Sequence, residues 1–303
     1  MIRYYKIFTL TILITFLGCK SNQQVTEVRF ASRENNVCKI LQGRVIVYAI
    51  FVDSKFTKPW SEYDINSTID SIKLGMNWVM KKAKENNVSL SIEVANHKNM
   101  KGAVPIYNDL SKKTLSGTLF KPPLFTGIKD IYKWADKIAA EAGKSLPKDT
   151  TIKIIKTTNK LSDRERLIAR LRDIYKTDNV ALMYFINNYY SEELSLTLDI
   201  NSRENIEFSI VSFKKPAVIA HEFLHLFGAW DLYVTPFDNK KAAIKKKQQA
   251  MVLFPNEIMA FAYRGIDSLD ICQFTKYAIG WDKQLDKKYA DLLFGKKIKP
   301  IKY

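Results

Sequence analysis

Histidine is scarce in this chain. There are 3 in 303 residues, alongside 3 cysteines, 9 prolines and 11 glycines. So few cysteines exclude a small scaffold stapled by disulfides. So little proline and glycine, in a composition that is 47% hydrophobic, excludes collagen-like, low-complexity and disordered chains. Internal repeats are absent. Acidic residues are also short, 31 against 48 basic ones, which gives a formal charge of +17. A surplus of that size raises nucleic acid or an anionic surface as a partner. The lysines, however, are spread along most of the chain, and Lys, Asn, Ile and Tyr abound together, as an AT-rich genome dictates. No nucleic-acid partner is expected. The length allows one large domain or two small ones.

Long apolar runs are missing too. The longest opens the chain, where Arg3 and Lys6 precede the apolar stretch Ile7 to Leu17. That stretch is too short to cross about 30 Å of hydrocarbon as a helix, and its flanks are those of a targeting segment. It closes on Phe16-Leu17-Gly18-Cys19. This end resembles a bacterial lipobox, with Phe16 where Leu is usual, and implies cleavage after Gly18 and lipid on Cys19. An ordinary signal peptide that happens to contain a cysteine is the alternative. Loss of residues 1–18 removes Arg3 and Lys6 and lowers the formal charge from +17 to +15. The expected location is extracytoplasmic, lipid-anchored to a bacterial membrane. Cys38 and Cys272 then remain, free to pair or to stay as two buried thiols.

Residues 19–40 are polar and aperiodic, and read as a tether. Residues 41–303 read as a single domain, divided into 41–228 and 229–303. Arg44 to Val52 is a near-continuous apolar run, expected of a strand buried on both faces. Ile69, Ile72, Met76, Val79, Met80 and Ala83 have helical spacing, which predicts a helix over 66–86 with Asn66 or Ser67 as N-cap. Val88, Leu90, Ile92 and Val94 alternate as a strand does. Residues 96–126 read mostly as loop, 128–142 as a helix and 151–157 as a short strand. Ser162-Asp163-Arg164-Glu165 has the form of a capping box and predicts a helix start. Val180 to Ile186 is a second buried strand. Leu194 to Ile200 and Ile206 to Ile210 alternate on either side of the turn Asn201 to Asn205, as in a hairpin. The fold class is α/β (α+β), with a mixed, mostly parallel twisted sheet.

Two of the three histidines fall in one motif, His221-Glu222-Phe223-Leu224-His225, followed by Gly228 and Asp231. On a helix, residues four apart share a face, so both imidazoles can hold one Zn²⁺. Glu222 is rotated by about 100° from His221, so its carboxylate can reach a metal-bound water rather than the metal. Gly228 can take φ > 0 and end the helix. The chain can then return Asp231 as a third ligand and leave a fourth position for water. With histidine at this frequency, the His-Glu-x-x-His spacing arises by chance in on the order of one such chain in a thousand. The competing reading is an amphipathic helix with two satisfied histidines.

The motif resembles that of the metzincin clan of zinc metallopeptidases, in the His-Glu-x-x-His-x-x-Gly-x-x-Asp form of the snapalysin-like members. The resemblance is specific over 215–231, suggestive over 254–281 and topological over 44–213. It implies a metzincin-like fold, with an active-site helix and a small C-terminal subdomain after a Met-turn. Asn256 to Phe261 fits the turn, with Met259 twenty-eight residues after Asp231. A helix over 268–280 would follow. Some clan members carry Tyr two residues after that Met. Phe261 stands there in this chain, and Tyr263 is out of register.

The expected activity is zinc-dependent endopeptidase hydrolysis of a peptide or protein, with His221, His225 and Asp231 as zinc ligands and Glu222 as general base. The resemblance further implies a cleft strand that binds substrate in extended form, for which Leu194 to Asn201 is the candidate. The alternative is a non-catalytic, zinc-containing surface lipoprotein acting as a binding module. His97 reads as polar loop surface, Lys240 to Lys247 as a solvated loop, and Trp60, Trp78 and Trp134 as packing.

Overall fold

A computed structural model describes residues 40–97, 105–110, 125–147, 162–188, 195–198, 207–234 and 240–289. The lipobox with Cys19, the tether with Cys38, the strand expected at 151–157 and the hairpin turn at 201–205 lie outside them.

The first strand, β1 (Gly43–Asp53), is buried from Val45 to Val52. Its apolar run has no polar alternation because both faces are covered. It lies between β2 (Leu90–Asn96) and β4 (Asn179–Ile186), parallel to both. A short strand, β3 (Ile106–Tyr107), pairs with the end of β1 beyond β2. Beyond β4 come β6 (Phe208–Val211), parallel, and β5 (Ser195–Leu198), antiparallel to β6. The order is β2-β1-β4-β6-β5, so among the described strands the one that runs antiparallel is at an edge. The sheet is mixed and mostly parallel, as the sequence predicts.

Helix α1 (Glu62–Glu85) starts four residues before the expected N-cap. Ser61 Oγ accepts the Asp64 N–H while Asp64 Oδ2 accepts from the Ser61 N–H, a reciprocal cap that neither Asn66 nor Ser67 has. Helix α2 (Phe125–Lys144) buries Ile131, Trp134, Ala135 and Ile138. Helix α3 (Asp163–Tyr175) begins at the expected Ser162–Glu165 box. Helix α4 (Pro216–His225) carries the motif, with proline at its first turn, where a missing N–H costs nothing. Helix α5 (Lys241–Leu253) is followed by two short helices, α6 (Ile258–Phe261) and α7 (Gln273–Ala278). The α7 helix is shorter than the 268–280 expected.

The sequence reads Lys240 to Lys247 as a solvated loop, but these residues open α5. Ala, Lys, Gln and Met are strong helix formers, and Lys241 and Lys245 stay exposed on that helix. His97 is likewise not surface, being 1% exposed. Its Nδ1 lies 3.3 Å from the Phe51 amide and 3.4 Å from the Ala49 carbonyl oxygen, under β1. Trp60, Trp78 and Trp134 are buried, as expected.

One contiguous cluster of buried side chains runs from Leu41 to Ile279 and includes both sides of the motif. Helix α4 is buried all along from Ala217 to Leu224. Gly75 of α1 lets it approach, since a Cβ there would lie 2.8 Å from the Pro216 carbonyl oxygen. No helix among the described residues is long and apolar enough to cross a membrane.

Candidate metal centre

Strand β6 runs into α4 through Lys215, and α4 ends at His225. The next three residues form a tight turn. Gly228 takes φ +92, and a Cβ there would lie 3.1 Å from the Ala278 carbonyl oxygen, so this position favours glycine on both counts. The Gly228 and Ala229 amides donate to the His225 and Leu224 carbonyls at 2.9 and 3.2 Å. The chain thereby reverses and returns Asp231 to the face that carries the two histidines.

Three atoms meet there. His221 Nε2 and His225 Nε2 are 3.0 Å apart, and Asp231 Oδ1 is 3.2 Å from the first and 3.1 Å from the second. The opposite ring nitrogens are both engaged. His221 Nδ1 donates to the Ile258 carbonyl at 3.2 Å, and His225 Nδ1 donates to the Ala229 carbonyl at 2.7 Å. A carbonyl oxygen can only accept, so both protons sit on Nδ1 and both Nε2 lone pairs face inward. Two lone pairs and a carboxylate oxygen then converge without a donor among them. Such a triangle repels itself unless a cation, either a proton or a metal ion, is shared at its centre.

The two titrating groups report that tension. Burial alone pulls the His225 imidazolium down, but the hydrogen bond and charge of Asp231 outweigh it and carry its pKa up to about 9. Burial likewise pushes the Asp231 carboxyl up, but the imidazoles of His221 and His225 against it hold it well below its ordinary value.

The residues fit zinc. A tetrahedral Zn²⁺ with bonds of about 2.0–2.1 Å holds neighbouring ligand atoms about 3.3–3.4 Å apart. The observed edges of 3.0 to 3.2 Å need open by only a few tenths of an ångström. Two imidazoles and one carboxylate make a donor set suited to Zn²⁺, with both histidines oriented by backbone carbonyls on their far side. Among the described residues, His221, His225 and Asp231 are the group of three or more His, Cys, Asp or Glu side chains that can hold a metal ion, and His97 is not part of it.

Glu222 is beside this group but outside it, 4% exposed. Its Oε2 accepts a hydrogen bond from the Thr197 hydroxyl at 2.7 Å, from strand β5. Met259 is fully buried in α6, and its carbonyl accepts the Leu232 amide at 3.0 Å, directly after Asp231. Residues 258 and 259 thus brace two candidate ligands through backbone carbonyls, His221 through Ile258 and the Asp231 segment through Met259. Tyr263 is 63% exposed and meets the Phe261 ring edge to face.

Sequence reasoning passed over the residue that holds the turn. Glu257 is 1% exposed and accepts from the Met259 amide, the Thr275 hydroxyl and the Cys272 amide. The signal was available: a lone acidic residue at the head of the apolar run Ile258 to Phe261 needs buried donors. Cys272 makes no disulfide with a described residue, and burial pushes its thiol well up. No protein-family model, curated protein or solved structure matches this chain. The chemistry of the site itself therefore has to indicate its use.

Proposed function

We propose that this chain is a zinc-dependent endopeptidase of the metzincin type, held outside the cytoplasm by lipid on Cys19. The observation that carries the reading is the convergence of His221 Nε2, His225 Nε2 and Asp231 Oδ1 within 3.2 Å, with both Nδ1 protons turned outward. A structural zinc site normally closes with a fourth protein ligand, whereas three ligands beside a carboxylate are the pattern of a hydrolytic one. The strand order, with its single antiparallel strand at the edge nearest α4, accords with the resemblance seen in the motif.

Bound Zn²⁺ supplies Lewis acidity toward a carbonyl oxygen and lowers the pKa of its water. His221 and His225 are held in the tautomer that binds it. Glu222 Oε1, for which no described residue supplies a donor, is the atom that takes the proton from water and hands it to the leaving amine. Strand β5, with one side free among the described strands, receives an extended peptide as an added strand.

The test compares wild type, His225→Ala and Glu222→Gln on a quenched peptide library, with zinc content measured by elemental analysis. Wild type should hold about one Zn²⁺ and cleave, and His225→Ala should lose the metal. Glu222→Gln should keep zinc and fold but lose about 10²–10⁴-fold in turnover. Equal zinc in wild type and His225→Ala sinks the site. Zinc without hydrolysis of any peptide favours the binding-module alternative.

A further inference from the structure

Glu222 is not held by its own helix. Its carboxylate meets the edge strand, through a pair of hydroxyls that no sequence motif marks. Thr197 of β5 and Ser209 of β6 are directly opposite each other in the antiparallel ladder. Their hydroxyl oxygens are 2.7 Å apart. Thr197 Oγ1 is 2.7 Å from Glu222 Oε2 and 3.1 Å from the Glu222 carbonyl oxygen, and Ser209 Oγ is 3.1 Å from that same carbonyl. Each hydroxyl has a single proton to give. The shortest contacts assign them: Ser209 donates to Thr197 Oγ1, and Thr197 donates to the carboxylate. A chain of this kind strengthens its last bond, because each donor is polarised by the one behind it. Bonds to an ionised acceptor are also the stronger kind.

We infer that Thr197 is a positioning residue for Glu222, fixing Oε2 so that Oε1 alone is offered to the reacting water. The inference rests on the peptidase reading. It also assigns the edge strand a second task. The same four-residue strand that would pair with substrate holds the base in place, so substrate docking and base orientation share one backbone segment. Alternation puts Thr197 on the face of β5 toward α4, the face from which Ser195 Oγ accepts the amides of Ser212 and Phe213 at 3.3 and 3.2 Å. These bonds tie the register of β5 to the segment that leads into α4, and so fix which residue meets Glu222.

The experiment uses the zinc-loaded protein with Thr197→Val and Thr197→Ser. Valine keeps the branched shape and suits a strand but has no donor, and serine restores the donor. Two readouts are taken. The first is the Glu222 carboxylate stretching band, isolated as the infrared difference between each form and its Glu222→Gln counterpart. It should move in Thr197→Val and stay in place in Thr197→Ser. The second is peptide hydrolysis. Thr197→Val should lower kcat about 10–100-fold with KM and zinc content unchanged, the size of effect a small misplacement of a reacting group produces. Thr197→Ser should recover to within about threefold of wild type. A band that Thr197→Val leaves unmoved overturns the inference whatever the kinetics. Equal losses in the two variants also overturn it, because strand packing then explains them. A band that moves in a protein that hydrolyses no peptide removes the peptidase reading, and the catalytic role of Thr197 with it.

Discussion

Glu257→Gln probes how the turn under the site holds His221. The carboxylate has two oxygens with separate duties: Oε1 accepts from the Met259 amide at 3.2 Å and the Thr275 hydroxyl at 2.8 Å, and Oε2 accepts from the Cys272 amide. An amide of nearly the same size has only one accepting end. If that end stays with Met259, the new NH₂ faces the Cys272 N–H. If it flips, the Met259 N–H is stranded, while Thr275 can rotate its hydroxyl to accept. Either way one buried backbone donor is left unsatisfied, which costs about 1–3 kcal/mol. The perturbation then travels one step, through the Ile258 carbonyl to His221 Nδ1. Losing a direct partner of a ligating histidine weakens metal binding about 10–100-fold, and the carbonyl itself survives here, so a loss of about tenfold is expected. The pH dependence has a definite sign. Burial raises the Glu257 carboxyl above its ordinary 4.5, and its three donors pull it only partway back. A carboxyl raised in the folded state contributes stability present below its unfolded value and lost as pH rises through the folded one. Glutamine lacks that contribution, so the stability gap between wild type and variant should be wider near pH 4.5 than near pH 7. Urea unfolding of the chelated proteins at both pH values, with a competitive zinc titration, measures all three quantities. Equal stability with unchanged zinc affinity refutes the role given to Glu257, as does a gap that widens toward neutral pH.

Zinc binding should release protons. His225, raised to about 9 in the metal-free site, must give up its proton to bind metal. At pH 7 binding therefore expels about one proton, and affinity climbs about tenfold per pH unit until it levels near pH 9. Calorimetry in two buffers of different ionisation heat reads the proton count, and a pH-independent affinity contradicts it. At the other end of the chain, Cys19→Ser should abolish labelling by a fatty-acid analogue and release the protein from the membrane fraction. Membrane retention without label points to an uncleaved anchor.

The centre of the sheet was legible because its strands are buried on both faces. Runs such as Val45 to Val52 and Val180 to Ile186 have too few polar residues to be anything on the surface. The candidate ligands were legible because helix geometry makes a four-residue spacing a statement about direction, and Gly228 marks where the helix must give way. Both start sites that depend on a side chain reaching back three residues were readable in principle. The Ser162 box was found, whereas Ser61 was passed over for Asn66 and Ser67, which lie inside the helix. Thr197 and Ser209 were not legible as site residues, and for Glu257 the need of buried donors was legible but not their identity. Each acts across a distance in sequence, to Glu222, to Cys272 and to Thr275, that no local pattern encodes. A Thr between two Leu residues on a strand reads only as its polar face. Its importance comes from which helix that face meets.

The way the site is braced also bears on what a bound metal would do for the fold. In small zinc-folded domains the ligands have no other reason to converge, and metal binding is folding. Here each candidate ligand is held by a backbone contact: His221 by Ile258, His225 by Ala229, and the Asp231 segment by the bond from Leu232 to Met259. Behind them is a continuous apolar core. The repulsion among three inward-facing acceptors is therefore sustained by the fold rather than relieved by collapse, and a proton on His225 suffices to relieve it when metal is removed. Backbone bracing of this kind would preorganise the three side chains for a metal ion, as the proposed catalysis requires. The same bracing keeps Glu222 apart from the ligands. Its carboxylate is turned toward β5 and the Thr197 hydroxyl, while both imidazole Nε2 atoms turn toward Asp231. One helix thus presents two candidate ligands and a candidate base in different directions. The edge strand and residues 257–259, on separate segments, keep those directions distinct.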